Sequence, residues 1–244
     1  MKAIILAAGI ASRLRPLTND RPKCLLKIGN RSLLERTIDA LLENNIREIV
    51  IVTGYLHEML ESFVQTRYPS LSIKFIRNEL YASTNNIYSL WLALPEVQQE
   101  KEIILLDSDI LFDPSMIKIL RDAPHANCLA LDSHKLGEEE IKVIVNGKNQ
   151  ITELSKTCSI EKAIGESIGI EISHAYLLAL HEELEHMIQH EKLDNVFYEL
   201  AFERLIARRQ YFYPVDTSAY FSMELDTPED FHDAINRIPK HLQA

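Results

Sequence analysis

Cysteines, cations and long apolar runs are all scarce in this 244-residue chain. The three cysteines, Cys24, Cys128 and Cys158, lie far apart and form no CxxC pair. That argues against a disulfide framework or a thiol-based zinc site and fits a reducing cytoplasm. No apolar run approaches the roughly 18 residues a membrane-spanning helix needs. Lys and Arg total 26 against 36 acids, a formal charge of -10, which disfavours a nucleic-acid surface or a basic membrane stripe. Two phosphate-binding signatures are missing as well. There is no GxxxxGK[ST], and no GxGxxG with its ribose-binding acid.

What is present is a core and a pattern. A hydrophobic share of 46% is ample for a buried interior. MKAIILAAGIAS imitates a secretory leader, but its apolar part is short and Arg13 and Arg15 follow at once, so it reads as a strand and loop of the mature protein. Strands are expected at 2–8, 48–53, 72–76 and 102–107, with helices at 32–44, 56–67 and 84–94 between them. Such alternation predicts βαβ units and a largely parallel sheet. Short strands follow near 128–132, 141–145 and 150–154, with Asn146-Gly147 as a turn signal. Helices near 174–190 and 195–208, strands near 211–215 and 220–224, and a last helix opened by Thr227-Pro228-Glu229 complete the chain. No internal repeat or linker divides it. The expected fold is α/β, one Rossmann-like α/β/α domain over 1–244 with a mixed, mostly parallel central sheet. Residues 1–112 would form a nucleotide-binding half and 113–244 an acceptor-binding half.

Against the acidic background stands one basic island. Arg13, Arg15, Arg21, Lys23 and Lys27 fall within fifteen residues whose single acid is Asp20. It follows the first strand, where Ala7, Ala8, Gly9 and Ala11 let a ligand approach the backbone closely. The stretch LAAGIASRLRPLTNDRPKCLLKIG resembles the signature loop of the nucleotidyltransferases that make NDP-sugars and CDP-alcohols, LAAGxGxRLxPLTxxxPKxLL. Leu6 to Gly9, Arg13, Leu14, Pro16 to Thr18, Pro22, Lys23, Leu25 and Leu26 fall on matching positions. The departure is Ala11, where the family usually has Gly. The resemblance implies that Leu6, Ala7, Ala8 and Gly9 meet the base and ribose, that Arg13 holds the β- and γ-phosphates, and that Lys23 reaches the α-phosphate and the attacking phosphate.

The run EIILLD ends in Asp107-Ser108-Asp109, and acids at i and i+2 on a strand share a face. Facing a triphosphate, they require a hard cation between, which suits Mg²⁺. By resemblance Asp109 is the metal ligand, with Asp107 orienting it or reaching the metal through water. Asp226 in MELDTPED resembles the family's second acid, though it or Thr227 could instead cap the final helix.

NELYASTNNIYSLWLA points to the acceptor. Its Asn85, Asn86, Tyr88, Ser89 and Leu90 resemble the NNxYSL run of CTP:phosphocholine cytidylyltransferase-like enzymes, and the likeness to that branch is good over about the first 110 residues. Asn86 and Ser89 are expected to help bind nucleotide. Tyr88 and Tyr198, with Tyr81, Phe197 and Tyr220, are candidates for a quaternary ammonium. Lys142 and Lys156 are candidates to neutralise the acceptor phosphate, and Glu166 in GESIGI to bind a cationic or hydroxylated head. The expected partners are an NTP, with CTP leading, and a small phospho-acceptor such as phosphocholine or aminoethylphosphonate. A sugar-1-phosphate is the alternative acceptor. A glycosyltransferase using DxD, or a non-catalytic nucleotide-binding domain, would leave the basic loop or the acids without a purpose.

Overall fold

The computed structural model describes residues 1–173 and 176–243. The first strand, β1 (Lys2–Ala7), is buried on both faces, which is why it reads as an unbroken apolar run. After it come a loop with two short 3-10 turns, a two-strand ribbon β2 (Lys27–Ile28) and β3 (Arg31–Ser32), and helix α1 (Leu33–Glu43). Ser32 and Glu35 close a capping box that fixes where α1 begins. The alternation continues with β4 (Glu48–Thr53), α2 (His57–Arg67), β5 (Ser72–Arg77), α3 (Asn86–Ala93), β6 (Ile103–Asp107), β7 (Ile110–Phe112) and α4 (Ser115–Asp122). The second half supplies β8 (Asn127–Asp132), β9 (Lys142–Val145), β10 (Ile151–Ser155), β11 (Gly165–Ser173), α5 (Leu177–Glu185), α6 (Glu199–Ala207), β12 (Tyr213–Asp216), β13 (Ser222–Glu224) and α7 (Pro228–Arg237). The expected start of the fifth helix at 174 lies outside the described residues. α5 runs on into a π-helical turn at His186–His190.

The main sheet runs β10-β9-β11-β6-β1-β4-β5, with β8 pairing β11 and β12. The strands β6-β1-β4-β5 are parallel throughout. β11 joins β6 antiparallel, so the sheet is mixed as the sequence predicts. Alternate residues of β1 feed opposite cores, as the period of two requires. Ile4 and Leu6 pack with α3, α5 and α6, whereas Ala3, Ile5 and Ala7 pack with α1, α2 and α4. The result is the expected three-layer α/β/α arrangement. A third, smaller cluster of Ile28, Leu33, Leu111, Leu225, Ala234 and Ile238 holds α7 against the first half of the chain.

Five elements were not expected: the short strands β2, β3 and β7, the helix α4, and β11. β11 is the consequential one, because it sits between β6 and β9 and carries Glu166 and Glu171. Its sequence GESIGIEIS mixes glycine, serine and acids with the apolar positions and so lacks a strand's usual composition. Gly169 adopts φ +71°, and a Cβ there would come within 2.6 Å of the Asp107 carboxylate. Only glycine lets β11 pass so close to the end of β6.

The departure from the family loop also has a backbone consequence. Ala11 holds a left-handed conformation, φ 51° and ψ 52°, which costs an L-residue roughly 1–2 kcal/mol. Thr18 Oγ1 donates to the Ala11 carbonyl at 2.9 Å and helps keep it there. Ala11→Gly should therefore raise stability by about 0.5–1 kcal/mol, less than the full strain because glycine gains freedom in the unfolded chain. Urea denaturation checks this; a loss of stability would show that the loop is not strained.

Candidate active site

The carboxyl ends of β1 and β6 open into a cavity of about 900 Å³, where sites of such sheets gather. Leu6, Ala7, Ala8, Gly9, Arg13 and Lys23 line it, together with Asn86 and Ser89 and with the acids Asp109, Glu224 and Asp226. A Cβ at Gly9 would meet nothing within 4 Å, so the space above the loop is free for a ligand.

At the centre lies Lys23, which is nine-tenths buried. Its ammonium donates to Asp109 Oδ2 at 3.0 Å and to Asp226 Oδ1 at 2.7 Å. Burial pulls the Lys23 pKa down, but the two carboxylates more than offset this and the net shift is upward. Burial works the other way on Asp226, and there Lys23 and then Arg13 win, holding the carboxyl below its usual range. Arg13 pairs with the other Asp226 oxygen. Thus two of the five island cations meet the acids, while Arg21 pairs with its neighbour Asp20 and Lys27 is exposed.

Of the two roles the sequence left open at this point, the helix cap falls to Thr227. Thr227 caps α7 in a capping box with Asp230, which leaves Asp226 free to face the cavity. One oxygen each from Asp109, Glu224 and Asp226 lies within 4.8 Å of the others. Burial, and then repulsion from Asp109 and Asp226, pushes Glu224 up to about 8.

Asp107 lines the cavity, and the geometry sets it apart from Asp109. β6 ends at Asp107, and Ser108 and Asp109 turn into β7, so strand periodicity does not carry to Asp109. Asp107 lies outside the three-oxygen cluster, where Glu224 stands instead. Its Oδ2 is 3.1 Å from the Tyr198 hydroxyl, which is also 3.1 Å from Glu171 Oε1. One hydroxyl hydrogen serves one acceptor, so the other contact needs a proton on a carboxyl. Burial pushes both Asp107 and Glu171 well above the usual range, which supplies it.

Three acceptor candidates are corrected. Tyr198 is fully buried against Phe202, 5.4 Å between ring centroids, and cannot stack on a ligand. Tyr88 packs on Trp91 at 5.2 Å and is not among the cavity's lining residues. Lys142, 1% exposed, donates to the carbonyls of Glu138, Glu140 and Lys156 at 3.2, 3.2 and 2.7 Å. Its ammonium ties strand ends together and is unavailable to a phosphate. Lys156 and Glu166 do line the cavity. The amide oxygen of Asn86 accepts from the Tyr198 N–H at 3.0 Å, and Ser89 Oγ accepts from Asn78 at 3.1 Å.

Sequence patterning does not single out Asp132, His134 or Glu199, and GEEE at 137–140, which holds Glu140, reads as an exposed turn; all four line the cavity, as does Glu224. The end of β8, the loop after it and the start of α6 bring them there. Burial raises Glu166 and Glu199 to about 7 each, with Glu140 and Asp132 adding to it at Glu166.

A nucleotidyl transferase family model matches residues 2–156. Choline-phosphate cytidylyltransferase of Streptococcus pneumoniae is 41% identical over 97 residues, 40% of this chain and 41% of that protein. The alignment thus spans less than half of that relative. CTP:phosphoglutamine cytidylyltransferase of Campylobacter jejuni is 28% identical over 231 residues, 85% of this chain and 89% of that one. A solved structure of CTP:phosphocholine cytidylyltransferase from Streptococcus pneumoniae superposes with a TM-score of 0.82 at 22% identity, covering 98% of this chain and 99% of that one, which shows the same fold.

Two outcomes follow from the buried charges. Lys142→Met should cost about 2–3 kcal/mol, because it strands buried carbonyls, and urea denaturation reads it; an unchanged midpoint would mean the ammonium is dispensable. Glu199, raised in the folded state, binds its proton more tightly there than when unfolded. Its contribution is full at low pH and is lost as pH rises from about 4.5 to about 7. Glu199→Gln should therefore gain on wild type by about 3 kcal/mol across that window, and parallel stability–pH curves would contradict the assignment.

Proposed function

The chain belongs to the nucleotidyl transferase family, and on that premise we propose that it joins an NTP to a small phosphorylated acceptor and releases pyrophosphate. The observation that carries this reading is the clasp of Lys23 by Asp109 and Asp226. Cations and carboxylates stand there in reach of one another, as a polyanion and a metal ion together would need them.

The nucleoside lies along Leu6–Gly9, with Asn86 and Ser89 opposite. CTP leads as the nucleotide, because the cytidylyltransferases are prominent among the relatives. Arg13 turns from Asp226 to the β- and γ-phosphates, and Lys23 to the α-phosphate and the acceptor phosphate. Asp109, Asp226 and Glu224 are the residues that would hold Mg²⁺. An all-oxygen donor set fits this hard cation, and a cluster that already embraces the Lys23 ammonium tolerates positive charge. Bound there, Mg²⁺ would draw charge from the phosphate oxygens.

An acceptor phosphate or phosphonate oxygen attacks the α-phosphorus in line. A new P–O bond forms as the bond to the β-phosphate oxygen breaks, and pyrophosphate departs. A phosphate dianion is already nucleophilic near neutral pH. The chain's own residues therefore contribute positioning and charge stabilisation. A DxD glycosyltransferase would leave Lys23 and Arg13 without phosphates to meet in these positions. We assign the protein to the cytoplasm, where NTPs are made and where its three buried cysteines stay free. Among the described residues no helix is long and apolar enough to cross a membrane.

Four NTPs tested against phospho-alcohols, aminophosphonates and sugar-1-phosphates, read by pyrophosphate release, test the reading. Turnover should require Mg²⁺, favour CTP, and fall by about 100-fold or more in Lys23→Ala and in Asp109→Asn. Free NDP as product, or near-wild-type rates in both variants, would overturn it.

A further inference from the structure

Away from the nucleotide loop, the cavity has a wall of a different character. Asp132, Glu140 and Glu166 gather there, and Glu199 also lines the cavity. One Glu166 oxygen lies 3.5 Å from His134 Nε2, and His134, Glu140 and Glu166 bring a ligand atom each within 4.8 Å of one another. Glu199 stands apart from an ordinary surface acid. It is 5% exposed, and its Oε2 is buried with no hydrogen-bond partner in the protein. A buried oxygen left unpaired in a cavity wall costs stability unless a ligand completes it.

The charge of Lys156 partly offsets the effect of burial on both Glu166 and Glu199. Lys156 pairs with Glu139 at 3.1 Å, and its ammonium sits 4.8 Å over the Phe197 ring. That contact bears directly on the ligand. A quaternary ammonium has no N–H to donate and depends on aromatic faces. Besides His134, the described aromatic side chains lining the cavity are Phe197 and Tyr81. Phe197 already serves Lys156, and Tyr81 lies beside Ala8 and Gly54 at the nucleotide end. The candidate cage residues Tyr88 and Tyr198 are packed elsewhere. The wall is thus poor in free aromatic faces and rich in carboxylate acceptors.

We infer that the acceptor is a phosphate or phosphonate whose other end is a primary ammonium, bound by Glu166 and Glu199, and not a trimethylammonium. The inference rests on the nucleotidyltransferase reading for the reaction, but the choice of head group rests on this wall alone. An N–H₃⁺ group carries three donors and can satisfy the orphaned Glu199 oxygen. A trimethylammonium would cover it with methyl groups, and a carboxylate or second phosphate would be repelled.

Calorimetry separates the two claims. The full chain, loaded with Mg²⁺ and a non-hydrolysable α,β-methylene CTP, is titrated with 2-aminoethylphosphonate, its trimethylammonium counterpart and its 2-hydroxyethyl counterpart. The same three are then assayed for pyrophosphate release with CTP. The primary amine should bind at least tenfold tighter than either analogue. That advantage over the hydroxyl compound should shrink about tenfold in both Glu166→Gln and Glu199→Gln, each checked for an intact fold by circular dichroism. Equal or tighter binding of the trimethylammonium compound, or an advantage unchanged in both variants, overturns the inference whether or not turnover occurs. The amine preference without pyrophosphate release from any acceptor would sustain the head-group assignment and overturn the reaction.

Discussion

A single buried ammonium, that of Lys23, organises this molecule's chemistry. It joins Asp109, which leads from β6 into β7, to Asp226, which precedes α7, although the partners lie 86 and 203 residues away in sequence. Without Lys23 the two carboxylates, with Glu224 close by, would face one another uncompensated. Without the carboxylates the ammonium would be a buried lone charge. Each makes the other tolerable. On the proposed reading the arrangement is exchangeable: a triphosphate would offer Lys23 and Arg13 other anions, and a divalent cation would offer the acids another partner, so that no charge is left uncompensated.

Behind this exchangeable layer lies a fixed one. The Tyr198 hydroxyl lies 3.1 Å from both Asp107 and Glu171, and Gly169 gives Asp107 room to sit there. The Tyr198 N–H also donates to Asn86, tying the start of α6 to the start of α3. Lys142 performs a comparable task at the rim by gathering three carbonyls from two loops. These groups are polar and buried, yet they act as scaffold. They hold the cavity wall while the side chains in front of them stay free to change partners.

The loop after β1 was legible because its chemistry is local. Small residues, Arg13 and Lys23 are spaced along one segment, so reading them required no knowledge of the rest of the fold. The parallel half of the sheet was legible for a related reason, since strands buried on both faces announce themselves as apolar runs. β11 was not, because it trades apolar residues for Gly169, Ser167, Glu166 and Glu171, each of which serves the site or its support. Lys142 and Tyr198 were assigned to ligands because sequence shows a residue's type and not its surroundings; burial decides whether a charged tip meets solvent or a carbonyl. Glu199 left no trace, since an orphaned oxygen becomes visible only once its neighbours are placed. The head-group end of the cavity is assembled from loops and element ends far apart in the chain, so sequence reasoning reached Glu166 there but not Glu199.

The central claim is that Lys23 trades its carboxylates for phosphate oxygens when substrates bind. The most direct measurement is a crystal structure with Mg²⁺ and a non-hydrolysable CTP analogue. The Lys23 ammonium should be found within hydrogen-bond distance of the α-phosphate, with the metal held by Asp109 and Asp226. An ammonium still clasped between those two acids, with the nucleotide bound elsewhere, would contradict the account.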